Sequence, residues 1–472
     1  MEQISLKRIR RMTRAECKIQ KNIFIIMGIL LGAGSVLTGL GISSKKSDAE
    51  LFLGICLLYG TIFVGFILCL NLFRDMNSSQ LADVKLALPV SAVERYISKI
   101  LAMFWIQLLP TFVAGIFSFA FSYVMLLIRG QRPNILKQLP HEFCMAAVST
   151  VVVVLFTNAI VIFCCVSCGT FAESCYFSMI LLFCITAIPF FFGQYLIESF
   201  SGIWKGTFFF PYWTYTSVIS MAEKDTIWTW PTWISILISC IVFGISGFLY
   251  KKRDGQGIGN PFVFRFTKNI FMFLGAVTLL IGFSGLGNEK VGCILTFIVY
   301  FIIDLIIKRG KINIREILKS VVSFALIFVI FVGISTAAYF TNGFGYSKLV
   351  PKMKKDETCR LYCEVFEPES EEDTKLDFSL YRGAITDAER KGILNFVQNI
   401  RSYEPKTLKT CYDRIVYNDI SKIKKENYRI YIAFMPKKKA NYVIYQCQFY
   451  LTKEKAQELE DEIEKYKTSK KE

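Results

Sequence analysis

Nine stretches of the chain are almost free of charge, and each is close to the length of a membrane crossing. They lie at about 23–42, 51–72, 100–128, 144–168, 176–197, 231–250, 269–287, 291–307 and 320–340. A hydrocarbon core of about 30 Å needs roughly 20 apolar residues in a helix. The third run is longer, which implies tilt or extension beyond the bilayer. One soluble core cannot bury so much apolar surface: 53% of the residues are hydrophobic, and phenylalanine alone contributes 43. The expected fold class is a polytopic α-helical membrane protein of about nine transmembrane helices, followed by a small α+β C-terminal domain.

The net charge of +17 would suit a nucleic-acid partner, but the excess flanks the apolar runs and no nucleic-acid-binding motif accompanies it. No nucleic acid is expected, and the lipid bilayer is. With the N-terminus inside, the inner segments hold 21 Lys and Arg and the outer loops 8, the bias that orients membrane helices. The basic outer stretch "RGQRPNILK" at 129–137 runs against it. Nine crossings then put the C-terminal domain outside the cell. Residues 1–22 form a cytoplasmic amphipathic helix, with Ile4, Leu6, Ile9, Met12, Ala15 and Ile19 on one face and the basic side chains opposite. The segment 198–230 is aromatic and belongs at the outer interface.

The charge that stands out within a span is Asp304. Pairing with Lys308, one turn on, would ease its insertion. Fifteen cysteines are present. Cys165 and Cys168 have C-x-x-C spacing, but no second cluster completes a tetrahedral site, so they read as small packing residues and no metal is expected. Glu173 falls in a tight inner turn. There is one histidine, His141.

From about 345 the chain is polar. Thr386 and Glu389 form a capping box before a helical pattern, and "CYDRIVYND", "YRIYIAF" and "YVIYQCQFYL" alternate as strands. A charged last helix starts at Thr452. Outside a cell, Cys359, Cys363, Cys411 and Cys447 allow two disulfides, with Cys411–Cys447 the most plausible pair, or four free thiols.

No Walker A loop, G-x-S-x-G elbow or H-E-x-x-H motif occurs, and no catalytic constellation is visible. The chain is not expected to be an enzyme. The stretch "RDMNSSQLADVKLALPVSAVERYISK", residues 74–99, is a charged insert between the second and third spans. Asn77 and Gln80 have capping-box spacing, and so do Ser91 and Glu94, with Pro89 breaking the chain between two helices. A short helix joined rigidly to two spans is a lever on which a partner can push.

Asp83, Leu88, Pro89, Ser91, Tyr96, Ser98 and Lys99 in this insert resemble the cytoplasmic loop of ABC-2 type permeases. "YKKRDGQGIGNPFVF" resembles that family's tail after the sixth span, with Gln256 where an acid is usual. The added spans and C-terminal domain are similar to a Gram-positive branch of the family. The resemblance implies a six-span permease core at 23–265, three additional helices at 266–340 and a soluble domain at 345–472. It implies a transmembrane subunit of an ATP-binding cassette exporter in a bacterial plasma membrane. An ABC ATPase subunit would dock on 74–99, with Asp83, Leu88, Pro89, Ser91, Glu94, Arg95, Tyr96 and Lys99 as the coupling residues. No cofactor would bind directly: ATP would act through that ATPase. A second permease copy or a paralogue would complete the pathway. An amphipathic or hydrophobic cargo suits the uncharged spans. The alternative is a membrane sensor or scaffold whose outer domain binds a peptide or other ligand.

Overall fold

The computed structural model describes residues 5–43, 61–87, 89–128, 133–199, 230–253, 257–285, 289–308, 313–341, 344, 359–366, 383–385, 428–436, 445–451 and 454. The described chain is almost entirely helical up to residue 341. Its helices are α1 (Leu6–Ile19), α2 (Lys21–Ser43), α3 (Thr61–Leu72), α4 (Ser79–Leu86), α5 (Ala92–Ile128) and α6 (Pro133–Ser167). They continue with α7 (Phe171–Ser199), α8 (Trp230–Arg253), α9 (Arg265–Gly285), α10 (Glu289–Ile307) and α11 (Ile314–Phe340). Among the described residues, six helices are long and apolar enough to cross a membrane, within α5, α6, α7, α8, α9 and α11. The protein is therefore a polytopic helical membrane protein. α5 has 37 residues, which makes it about 55 Å long at 1.5 Å per residue, so it runs past any one bilayer core.

Several hydroxyl groups within these spans bond within their own helix. Thr157 donates to the Val153 carbonyl at 2.8 Å, Thr186 to Leu182 at 2.8 Å and Ser239 to Ser235 at 2.6 Å. Each reaches back one helical turn, which removes the penalty of a bare hydroxyl in hydrocarbon.

The chain divides into two compact units. The first holds α1 to α6, most of α7, α8 and the first half of α9. Its core joins Leu68, Leu72 and Phe73 from α3 and the turn after it, Tyr96 and Met103 from α5, Ile162 and Val166 from α6, and Leu249 and Tyr250 from α8. A polar tie crosses this core. Gln107 donates to the Thr61 carbonyl at 3.0 Å, and Asn158 donates to Gln107 Oε1 at 2.6 Å. Gly65 makes room for it, because a Cβ there would fall 2.2 Å from Gln107 Nε2.

The second unit contains the end of α7, the rest of α9, most of α10, α11 and the strands. Asp304 on α10 is buried and accepts a hydrogen bond from Ser320 of α11. The Phe324 ring packs on Phe297 and Tyr300, with centroids 5.2 and 5.4 Å apart.

The strands are β1 (Cys359–Phe366), β2 (Gly383–Ile385), β3 (Tyr428–Pro436) and β4 (Tyr445–Leu451), in antiparallel order β2-β1-β3-β4. β3 covers the expected strand "YRIYIAF" and adds Met435 and Pro436, and β4 falls within the expected "YVIYQCQFYL", whereas β1 and β2 were not anticipated. "CYDRIVYND", the capping box at Thr386, the helix at Thr452 and most of the aromatic 198–230 segment lie outside the described residues.

The register limits the cysteines. Cys363, Ile432 and Cys447 share one row across β1, β3 and β4, which sets the two cysteines roughly 9.5 Å apart. Cys359 lies four positions from Cys363 on the same strand, roughly 13 Å away, and is farther still from Cys447. A disulfide needs Cα atoms within about 7 Å. No two of these three can pair. Every two-bridge connectivity of the four cysteines requires such a pair, so this sheet carries at most one bridge, made by Cys411, which lies outside the described residues.

Candidate functional site

The 74–99 insert begins with a 3-10 turn at Arg74–Asn77, continues as α4 and ends in the first turns of α5. Its two ends are locked together. Lys99 is 1% exposed and Asp75 5%, and Lys99 Nζ lies 2.5 Å from Asp75 Oδ1. The same ammonium donates to the Leu72 carbonyl at the end of α3, and it stands 5.1 Å from the centre of the Phe73 ring. One cation thus caps α3, neutralises a buried acid and lies over an aromatic ring. A buried charge of either sign is costly unless paired, so the two residues hold each other in place.

A second cation fixes the turn to two other helices. Arg253, the last residue of α8, is 1% exposed. Its Nη1 donates to the Cys165 and Val166 carbonyls at 3.1 and 2.9 Å, and its Nη2 donates to the Met76 carbonyl. The first two are terminal carbonyls of α6 that lack helical partners. Asn77 adds a bond to Ser174 Oγ at 3.0 Å in the first turn of α7. Asn77 therefore does not open the α4 helix as its spacing with Gln80 suggested. It sits in the 3-10 turn, and α4 starts at Ser79, with Ala82 N–H bonded to the Ser78 carbonyl at 2.9 Å.

The second capping box forms. Glu94 N–H donates to Ser91 Oγ and Ser91 N–H to Glu94 Oε2, both at 3.2 Å. The other carboxylate oxygen accepts from Ser5 N–H at 2.8 Å and lies 3.4 Å from Arg8 Nε, so Glu94 also ties α1 to α5. Tyr96 donates to the Phe243 carbonyl of α8 at 2.7 Å and packs with Phe73 and Tyr250. A Cβ on Gly247 would come 2.9 Å from the Tyr96 ring, so glycine lets the ring approach the helix.

A backbone clasp completes this end of the unit. Gly169, between α6 and α7, donates to the Asn260 carbonyl at 2.9 Å and accepts from Gly259 N–H at 2.9 Å. Gly257 and Gly259 have φ of 76° and 90°, a conformation that glycine adopts without strain. Phe177 stacks on Phe262 with centroids 4.4 Å apart. Thr170 caps the start of α7: its Oγ1 accepts from Glu173 N–H at 3.3 Å and donates to Glu173 Oε2 at 2.6 Å.

The residues singled out from the sequence therefore divide. Glu94, Arg95, Tyr96 and Lys99 are buried in the anchored end, and Ser91 is half-buried. Asp83 and Pro89 are exposed, as are Gln80, Leu81 and Ala87. Leu88 lies outside the described residues. Sequence reasoning missed Asp75 and Arg253 as anchors. Arg253 closes a Lys-Lys-Arg run that looks like an ordinary positive flank, and Asp75 follows Arg74 as though in a local pair.

Cys164, Cys165 and Cys168 are buried at the end of α6. Among the described residues, no group of three or more His, Cys, Asp or Glu side chains is placed to hold a metal.

Comparison of the chain with family models, with curated proteins and with solved structures finds no match.

Proposed function

We propose that the protein is the transmembrane permease subunit of an ATP-binding cassette exporter, driven by a separate ATPase that docks on the 74–99 insert. One observation carries the reading. Both ends of the insert are locked into α3, α5, α6 and α8 by buried charges, while Gln80, Leu81, Asp83, Ala87 and Pro89 between them are exposed. A push on the exposed part reaches four membrane helices through short, stiff contacts. That is what coupling to a moving partner needs. A half-exposed leucine beside an acid on a short helix suits the groove of such a partner.

The same reading takes the chain to have nine spans. Three shorter apolar helices, Lys21–Leu31, Thr61–Leu72 and Val291–Ile307, fall on the three remaining apolar runs. It puts the N-terminus in the cytoplasm and an α+β domain, built around the four-stranded sheet, outside. Spans nearly free of charge favour an amphipathic or hydrophobic cargo. ATP would act through the partner.

The test is purification from native membranes in mild detergent, followed by mass spectrometry of what accompanies the protein. The expected result is an ABC ATPase in stoichiometric amount, lost when residues 78–88 are replaced by a Gly/Ser linker. Recovery of the protein alone, under conditions that preserve known transporter complexes, would overturn the reading and favour a sensor.

A further inference from the structure

The first helix presents one sign of charge to its surroundings. Lys7, Arg10, Arg11, Arg14 and Lys18 are exposed on α1, and its one acid, Glu16, is buried. Leu6 and Ile19, at its two ends, are apolar and yet 82% and 68% exposed. The opposite side is packed: Ile9, Thr13 and Glu16 are buried, and Thr13 Oγ1 donates to the Ile9 carbonyl at 3.0 Å and to the Ser98 carbonyl of α5 at 3.4 Å. α1 thus lies beside the first turns of a membrane helix, and α2 begins directly after it. A basic helix with apolar ends at that level matches an anionic leaflet. Headgroup phosphates would meet the guanidinium and ammonium groups, and Leu6 and Ile19 would enter the acyl boundary.

One carboxylate joins this helix to the insert. Glu94 Oε1 faces α1, accepting from Ser5 N–H and meeting Arg8, while Glu94 Oε2 accepts from Ser91 N–H, where the insert ends. We propose that α1 binds anionic lipid headgroups and that its seating on the leaflet, carried through Glu94, sets how firmly the Ser91 end of the insert is held. Lipid charge then regulates the coupling lever. The inference rests on the proposed role of the insert for its consequence, but its test needs no ATPase, so either can fail without the other.

The test is hydrogen–deuterium exchange on the full chain in nanodiscs of phosphatidylcholine alone and of phosphatidylcholine mixed two to one with phosphatidylglycerol. Each basic residue near an anionic surface contributes about fivefold to binding. Exchange should slow in α1 and in peptides covering Ser91–Arg95 when phosphatidylglycerol is present, and high salt should remove the difference. Arg10→Gln, Arg11→Gln and Arg14→Gln together should abolish both effects. Glu94→Ala should keep the slowing in α1 and lose it at Ser91–Arg95, and Glu94→Gln, which keeps the side chain's shape and one acceptor, should lie between. Equal exchange in the two lipids would overturn the proposal and leave the basic face to an acidic protein surface. Slowing confined to α1 in the unaltered chain would also overturn it, making the helix an anchor that does not reach the insert.

Discussion

Asp75 and Asp83 belong to the same insert and sit in opposite environments. Asp75 is 5% exposed and paired with Lys99, whereas Asp83 stands on an exposed face of α4. Glu94 and Lys99 are buried, and Gln80 and Pro89 are open. The ends of the insert bury Asp75, Glu94 and Lys99, whereas between them Gln80, Leu81, Asp83, Ala87 and Pro89 are exposed and Ala82 is buried. The difference separates two parts: the ends fix the insert to the bundle, and the exposed residues between them are where the proposed ATPase would dock.

The sharpest way to break that comparison is to strand one buried charge. Asp75→Ala leaves Lys99 without its acid and should lower stability by about 3–5 kcal/mol, read as a lower melting temperature in detergent. Replacing both residues, with Asp75→Leu and Lys99→Met, should recover most of the loss. If the double variant were as unstable as the single one, the pair would not be the source of the effect.

The clasp comes next. A Cβ at Gly169 would fall 2.3 Å from the Gly257 carbonyl oxygen and 2.4 Å from that of Asn260. Both are backbone atoms, so Gly169→Ala should cost roughly 1–3 kcal/mol in the same assay. Arg253→Met should cost about the same, since it strips the α6 carbonyls of their donor in a buried setting.

Smaller effects belong to the cap and the open face. Ser91→Ala removes one half of the box and should cost about 1 kcal/mol. Asp83→Ala, at an exposed site, should change stability by less than about 0.5 kcal/mol and, on the proposed function, still weaken capture of an ATPase partner. A large loss of stability at Asp83 would erase the distinction between the two parts of the insert.

Much of this arrangement was legible because its signals are local. The S-x-x-E spacing of Ser91 and Glu94 is enough to close a capping box, and the structure closes it. T-x-x-E at Thr170 carries the same signal and was passed over, since the segment reads as a plain turn. The α1 pattern was legible only in part. The sequence put Ile9 on one apolar face with Leu6 and Ile19, but the structure buries Ile9 together with Thr13 and Glu16, while Leu6 and Ile19 are exposed. A helical wheel cannot tell which side a neighbouring helix will take. The Asp75 and Arg253 anchors were not legible, because their partners lie 24 and up to 177 residues away in the chain.

By itself, the sequence determined that this protein lives in a membrane, where its apolar helices lie and, at Ser91, which residue starts one of them. These follow from hydropathy and from hydrogen bonds spanning three or four residues, which do not depend on what else the chain does. Tertiary structure alone decided which polar side chains became anchors. An Arg at the end of a span looks the same whether it reaches water or the unpaired carbonyls of another helix. Only the meeting of α8 with α6 and the 3-10 turn buries Arg253, and burial is what turns a flanking charge into a fixed joint. The sheet makes the same point for cysteine: spacing along the chain allowed three connectivities, and the strand register removed every two-bridge pattern because neighbouring strands stand about 4.8 Å apart.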